Sequence, residues 1–111
     1  MKYTINGRGF KNKAEIKTWY RSIFESYKRG EELAFMDFLD VHELLKFHPE
    51  YAEKTELGIE GIKVDVKEWD GYYSQNAFWI KHTNGTWTSF SYPTCLNNIP
   101  VPNKTLIKDG I

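Results

Sequence analysis

The stretch "HTNGTWTSFSYPTC", residues 82–95, constrains the fold most. Asn84-Gly85 stands between "AFWIKHT" and "TWTSFSY", two segments rich in aromatic and β-branched residues. That dipeptide between such segments is the strongest short-range signal for a type I′ hairpin. A two-residue loop would also set the pairing. Thr83 then faces Thr86, Lys81 faces Thr88, Trp79 faces Phe90 and Ala77 faces Tyr92 on one side. His82 faces Trp87, Ile80 faces Ser89 and Phe78 faces Ser91 on the other. Pro93 ends the second strand.

Upstream, "IEGIKVDV" alternates Ile62, Val64 and Val66 against Lys63, Asp65 and Lys67, as a half-buried strand does. Asp70-Gly71 marks the turn that follows it. The sheet thus has three or more antiparallel strands, and helices precede it. Ile16, Trp19, Tyr20, Ile23, Phe24 and Tyr27 fall on one helical stripe. Asn12 is its N-cap and Glu15 completes a capping box, with Gly30 as the stop. A second helix starts at Asp37 or Asp40, buries Phe38, Val41, Leu44 and Leu45, and is over before Pro49. Near the N-terminus, Asn6-Gly7 turns a short hairpin. Helices followed by strands indicate α+β: two main helices packed on a small antiparallel sheet in residues 1–97. Residues 98–111 read as an extended C-terminal tail anchored by Ile99, Val101, Leu106 and Ile107.

One cysteine in 111 residues excludes an internal disulfide and a Cys-rich zinc site. No apolar run approaches a membrane span, and no apolar leader opens the chain. The expectation is a complete, soluble, cytoplasmic protein with no membrane partner. Cys95 could act as a nucleophile only beside a base in an electropositive setting. No motif couples it to His42, His48 or His82, so it reads as buried and inert. The histidine spacing fits no metal site, and there is no Gly-rich phosphate loop. Neither an enzyme nor a cofactor is implied.

Net charge is zero, yet unevenly laid out. Residues 1–30 carry eight Lys or Arg against two acids, and residues 31–56 carry two against eight. The basic block leaves Lys13, Lys17, Arg21 and Lys28 largely off the apolar stripe of the first helix. With Lys11, the first three are the candidate phosphate contacts. Trp87, near the hairpin tip, is the candidate aromatic platform for a base.

The segments "HPEYAEKTELGIEGIKV" and "FWIKHTNGTWTSFSYPTCL" together resemble the DCL-like domain, a family named for a plant protein whose loss causes defective chloroplasts and leaves. His48, Pro49, Lys54, Gly58, Ile59, Phe90, Ser91, Tyr92 and Cys95 match its pattern in order, within roughly residues 10–97. The chain departs from it at Glu56, His82, Asn84 and Ser89. In the family an Arg and an Asp stand at the places of 82 and 89, which the hairpin register above sets diagonally on one face, as a charge pair would be. The resemblance implies a role in RNA processing or as a nuclease accessory. The resulting expectation is a non-catalytic nucleic-acid-associated module for RNA or DNA. The alternative is a protein-interaction adaptor of phage or mobile-element origin, using the acidic block or an exposed aromatic patch. A continuous basic surface around Trp87 would favour the first, and mixed charge around an apolar patch the second. An enzyme would gain if His48, Lys54 and an acid lined one cleft.

Overall fold

The computed structural model describes residues 3–69 and 73–100. The elements run β1 (Tyr3–Ile5), β2 (Arg8–Phe10), α1 (Lys13–Glu25), α2 (Phe35–Leu45), α3 (Tyr51–Thr55), β3 (Gly61–Trp69), β4 (Tyr73–Lys81), β5 (Trp87–Phe90) and α4 (Tyr92–Asn97). The fold is α+β. β3, β4 and β5 form an antiparallel sheet in that order, and β1 and β2 pair separately. The Asp70-Gly71 turn and the tail anchors Val101, Leu106 and Ile107 lie outside the described residues. Ile99 is buried against the core.

Helix α1 forms as its stripe dictates. Ile16, Tyr20 and Ile23 are buried, and Trp19, Phe24 and Tyr27 pack beside them. Asn12 Oδ1 accepts from the Glu15 N–H at 3.0 Å. The Glu15 carboxylate accepts in return from the Lys11 N–H at 2.8 Å, one residue upstream of the usual capping-box partner. The helix stops at Glu25, short of Gly30. Gly30 instead turns the following loop onto the sheet, where its N–H donates to Val64 O at 2.7 Å. Leu33 N–H to Ile62 O and Val64 N–H to Glu31 O complete that seam, at 2.8 and 3.0 Å. The free edge of β3 is thereby covered.

Helix α2 begins at Phe35, before either aspartate expected to start it. No side chain caps it. The Ala34 N–H is satisfied by the Tyr27 hydroxyl at 2.9 Å, and that hydroxyl donates to Asp37. Asp40 lies inside the helix and is buried. Its carboxylate accepts from Asn6 Nδ2 at 2.8 Å and has the Arg8 guanidinium 3.8 Å away. Arg8 also sits 3.8 Å over the Trp19 ring. The β1–β2 hairpin is thus pinned to both helices by charge as well as by buried Ile5 and Phe10.

The two Asn-Gly dipeptides fold differently. Asn6 and Gly7 both have positive φ, 52° and 76°, and close a two-residue type I′ loop between Ile5 and Arg8. At the second site only Gly85 does, with φ 89°. His82 bonds Thr86, so residues 83–85 form a three-residue loop. Asn84 Oδ1 accepts from both the N–H and the hydroxyl of Thr86, at 3.1 and 2.7 Å. The extra residue corrects the expected register by one. Phe78 pairs with Phe90, Trp79 with Ser89, Ile80 with Thr88 and Lys81 with Trp87. Burial explains the choice. This register lays Ile62, Val64, Phe78, Ile80 and Phe90, all buried, on the inner face beneath the helices. The expected one would have set Phe90 opposite Trp79, away from Phe78.

The strand also ends early. After Phe90, Ser91 becomes the N-cap of α4, its Oγ accepting from the Thr94 N–H at 3.3 Å. Pro93 sits in the first turn, where its missing N–H costs nothing. Cys95 and Leu96 are buried on this helix.

Candidate functional site

The inner face is core, so function must lie on the outer face, at the edges, or on the helices. On the outer face Lys63, Asp65 and Lys67 of β3 line up beside Trp79 and Lys81 of β4, with Trp87 and Ser89 on β5. Lys63 Nζ stands 4.2 Å from the centre of the Trp87 ring, and Lys81 Nζ stands 6.0 Å from it. Both distances suit a cation–π contact. Each lysine also has an acidic neighbour. Lys63 bonds Asp65 at 2.9 Å, and Lys81 lies 3.7 Å from Glu60. The Lys63 hydrogen bond, with that of the Val66 N–H, holds the Asp65 carboxyl below the usual carboxylate range. The result is an aromatic ring with two ammonium groups over it, each balanced by an acid.

The second feature is a cleft of about 380 Å³ where β5 ends. His48, Glu50 and Lys54 enter it from α3 and the residues before it. Lys67, Ser89, Phe24 and Tyr92 are among its other walls. Lys54 Nζ donates to the Ser89 carbonyl at 2.9 Å and lies 4.0 Å from Glu50. Lys67 Nζ donates to Ser89 Oγ at 2.8 Å. His48 Nδ1 accepts from the Glu50 N–H at 3.0 Å. In a neutral ring the proton then sits on Nε2, which becomes a donor. Burial, reinforced by the Lys54 charge, lowers the His48 pKa against a smaller opposing pull from Glu50.

That shift has a consequence for stability. The unfolded imidazole, near its ordinary pKa of about 6.5, takes up a proton before the folded one does. The contribution of His48 is therefore complete above that pH and is lost as pH falls through the lowered folded value. Between about pH 7.5 and about pH 5, wild type should lose more stability in urea titrations than His48→Gln does. Equal losses would show that His48 is not the group responsible.

The residues expected to carry function do not form one surface. Lys13, Lys17 and Arg21 are exposed on α1 and Lys11 just before its cap, and Arg21 bonds Glu25 at 3.1 Å. Helix α1 packs on the inner face, with Phe24 5.0 Å from Phe78 ring to ring. Trp87 is on the outer face. The sheet separates them, so the composite of α1 lysines and Trp87 is replaced by Trp87 with Lys63 and Lys81. Lys63 was visible as an outward position of an alternating strand; Lys81, expected opposite Thr88, was not. Only the register brings them to Trp87.

The motif residues have structural explanations. Lys54 covers the β5 edge, Ser91 caps α4, and Pro49 stands between α2 and α3. Phe90 stacks 5.6 Å from Phe78. Cys95 is fully buried, and burial pushes its thiol up to about 12. Gly58 belongs to a latch between the α3–β3 loop and the hairpin. His82, also buried, has Nδ1 2.9 Å from Gly58 O and Nε2 2.7 Å from Thr88 Oγ1. A carbonyl only accepts, so Nδ1 carries a proton, and in a neutral ring Nε2 then accepts from the Thr88 hydroxyl. Thr83 adds its N–H and hydroxyl to Leu57 O, at 3.2 and 2.8 Å. The register also puts positions 82 and 89 on opposite faces, which rules out the expected diagonal pair.

Comparison with known proteins places the chain. A family profile, DUF3223, described as a protein of unknown function, matches residues 21–96. The chain belongs to this family. The DUF3223 match runs from within α1 to α4, so it takes in the latch, the cleft and the outer face, while Lys11, Lys13 and Lys17 precede it. An uncharacterised protein of Rhodospirillum rubrum, solved in solution by NMR, is similar at 26% identity and a TM-score of 0.73, over 86% of this chain and 88% of its own. No curated protein matches. These findings correct the DCL-like resemblance: they return DUF3223 and a bacterial protein, and nothing in them points to a DCL-like domain. The functions that resemblance implied are set aside with it. Among the described residues, no helix is long and apolar enough to cross a membrane.

Proposed function

We propose that the outer face of the β3–β4–β5 sheet binds single-stranded nucleic acid without catalysing a reaction on it. The observation that carries this reading is Trp87, partly exposed, with Lys63 and Lys81 at 4.2 and 6.0 Å from its ring. A base would stack on this ring in place of the Lys63 ammonium that lies over it, and the two ammonium groups suit the phosphates on either side of that base. The exposed α1 lysines form a separate patch that can add only long-range attraction.

His48, Lys54 and Glu50 do meet at one cleft, the arrangement that would favour an enzyme. Lys54 donates to the Ser89 carbonyl and His48 Nδ1 accepts from a backbone N–H, which fixes both side chains in place and leaves the other Lys54 protons and the His48 Nε2–H as donors to a ligand. The cysteine is buried as its thiol. Binding therefore accounts for the cleft better than catalysis does.

Labelled RNA and DNA oligonucleotides should bind at about 50 mM salt and release as salt rises. Trp87→Ala should weaken binding by about 1–3 kcal/mol, roughly 5- to 150-fold. No binding even at high micromolar protein overturns the reading. Two observations favour a protein partner instead: Asp65 and Glu60 beside Lys63 and Lys81 make the charge around Trp87 mixed rather than continuously basic, and Phe35 and Met36, in the acidic block, are 69% and 68% exposed. A pulldown from the native host without a stoichiometric partner would count against that alternative.

A further inference from the structure

The cleft at the end of β5 adjoins the Trp87 platform. Were β5 to run on past Phe90, it would pair with residues 75–77 of β4, and the cleft lies at that place. The backbone there has a definite orientation. The Ser89 carbonyl points off the sheet edge, toward Lys54. In an antiparallel ladder the direction alternates, so Thr88 and Phe90 turn to β4 while Ile80 and Phe78 turn to β5. Two residues before Phe78, Asn76 then turns its N–H toward the cleft. Among the described residues, the cleft is lined by Lys54 and Lys67 together with the carboxylate of Glu50. Ser89, which both lysines bond, is two residues along β5 from Trp87, a distance of about 7 Å.

Taking the nucleic-acid reading of the outer face as given, we propose that this cleft receives the terminal phosphate of the strand that stacks on Trp87. Two ammonium charges, the Asn76 N–H and the His48 Nε2–H form a donor set suited to a dianion rather than to a neutral base edge. A base on Trp87 and a phosphate beside Ser89 fit one nucleotide at the end of a chain. Among the described residues, the charged and titratable groups that line the cleft with His48 are Lys54 and Glu50 from α3 and the residue before it, Lys67 from β3, and the Tyr92 phenol from α4. Adding a phosphate there favours the protonated imidazole.

The test uses one oligonucleotide sequence in three forms: 5′-phosphorylated, 3′-phosphorylated, and hydroxyl at both ends. Affinities are measured by fluorescence anisotropy with wild type, Lys67→Gln and Trp87→Ala. The His48 ring signals of wild type are followed by NMR across pH. One phosphorylated form should bind wild type about tenfold tighter than the hydroxyl form. That ratio should fall toward one in Lys67→Gln. The His48 titration should move up with the phosphorylated form and stay in place with the hydroxyl form. If all three bind wild type alike and Trp87→Ala weakens all three, the stacking face stands and the terminal-phosphate site is overturned. If no form binds, both readings are overturned. If an acidic or carboxylate-ended peptide then moves the His48 signals, the cleft belongs to a protein partner.

Discussion

Phe78→Ala is expected to remove about 3–5 kcal/mol of folding stability. Phe78 is fully buried on the central strand. Its ring meets Phe24 of α1 edge-on at 5.0 Å, Phe90 of β5 stacked at 5.6 Å and Tyr92 of α4 at 5.7 Å. Three elements therefore lose a common partner, and a cavity opens between layers that cannot collapse onto one another. For a domain whose whole stability is about 5–15 kcal/mol, that is a large share. The urea midpoint should fall sharply, with the slope unchanged if unfolding stays two-state. A loss below about 1 kcal/mol would support the slipped register, in which Phe78 opposes Ser91 instead of Phe90.

Gly58→Ala should be nearly as damaging, at roughly 2–4 kcal/mol, from two separate sources. Gly58 has φ +82°, in the left-handed region, and an added Cβ would lie 2.9 Å from Thr83 Cγ2 and 3.1 Å from Thr83 Oγ1. Thr83 cannot swing aside freely, because that hydroxyl bonds Leu57 O at 2.8 Å. The double mutant Gly58→Ala/Thr83→Ala separates the two. It should recover the steric part and keep the backbone part, giving a favourable coupling energy in the cycle. Additive losses would mean that the two residues do not touch.

The sequence made the local structure of this protein readable wherever a period or a cap acts alone. The α1 stripe from Ile16 to Phe24, the Asn12 cap and the alternation of β3 needed no tertiary information. The failures share a cause. Asn84-Gly85 carries the type I′ signature, yet its loop gains a residue because burial of Phe90 beside Phe78, with the latch from Leu57 and Gly58 to Thr83, outweighs the turn preference. One residue of slip moved His82 and Ser89 to opposite faces and hid the meeting of Lys63, Lys81 and Trp87. Helix α4 had a legible start in Ser91 and Pro93, but Phe90 through Tyr92 also suits a strand. Asp40 looks like a helix start in sequence; across the fold it is the acceptor for Asn6 and the ion-pair partner of Arg8. The cleft was least legible of all, because His48, Lys54, Lys67 and Ser89 come from three separate stretches.

The central claim is that Trp87 and its two lysines form a nucleic-acid face. The most direct test is amide and indole chemical-shift mapping of the 111-residue chain during titration with a short single-stranded oligonucleotide. The Trp87 indole signal and the amides of Lys63, Lys81 and Ser89 should move together, while those of Lys13 and Lys17 change little. Shifts concentrated on α1, with Trp87 unmoved, would contradict the account.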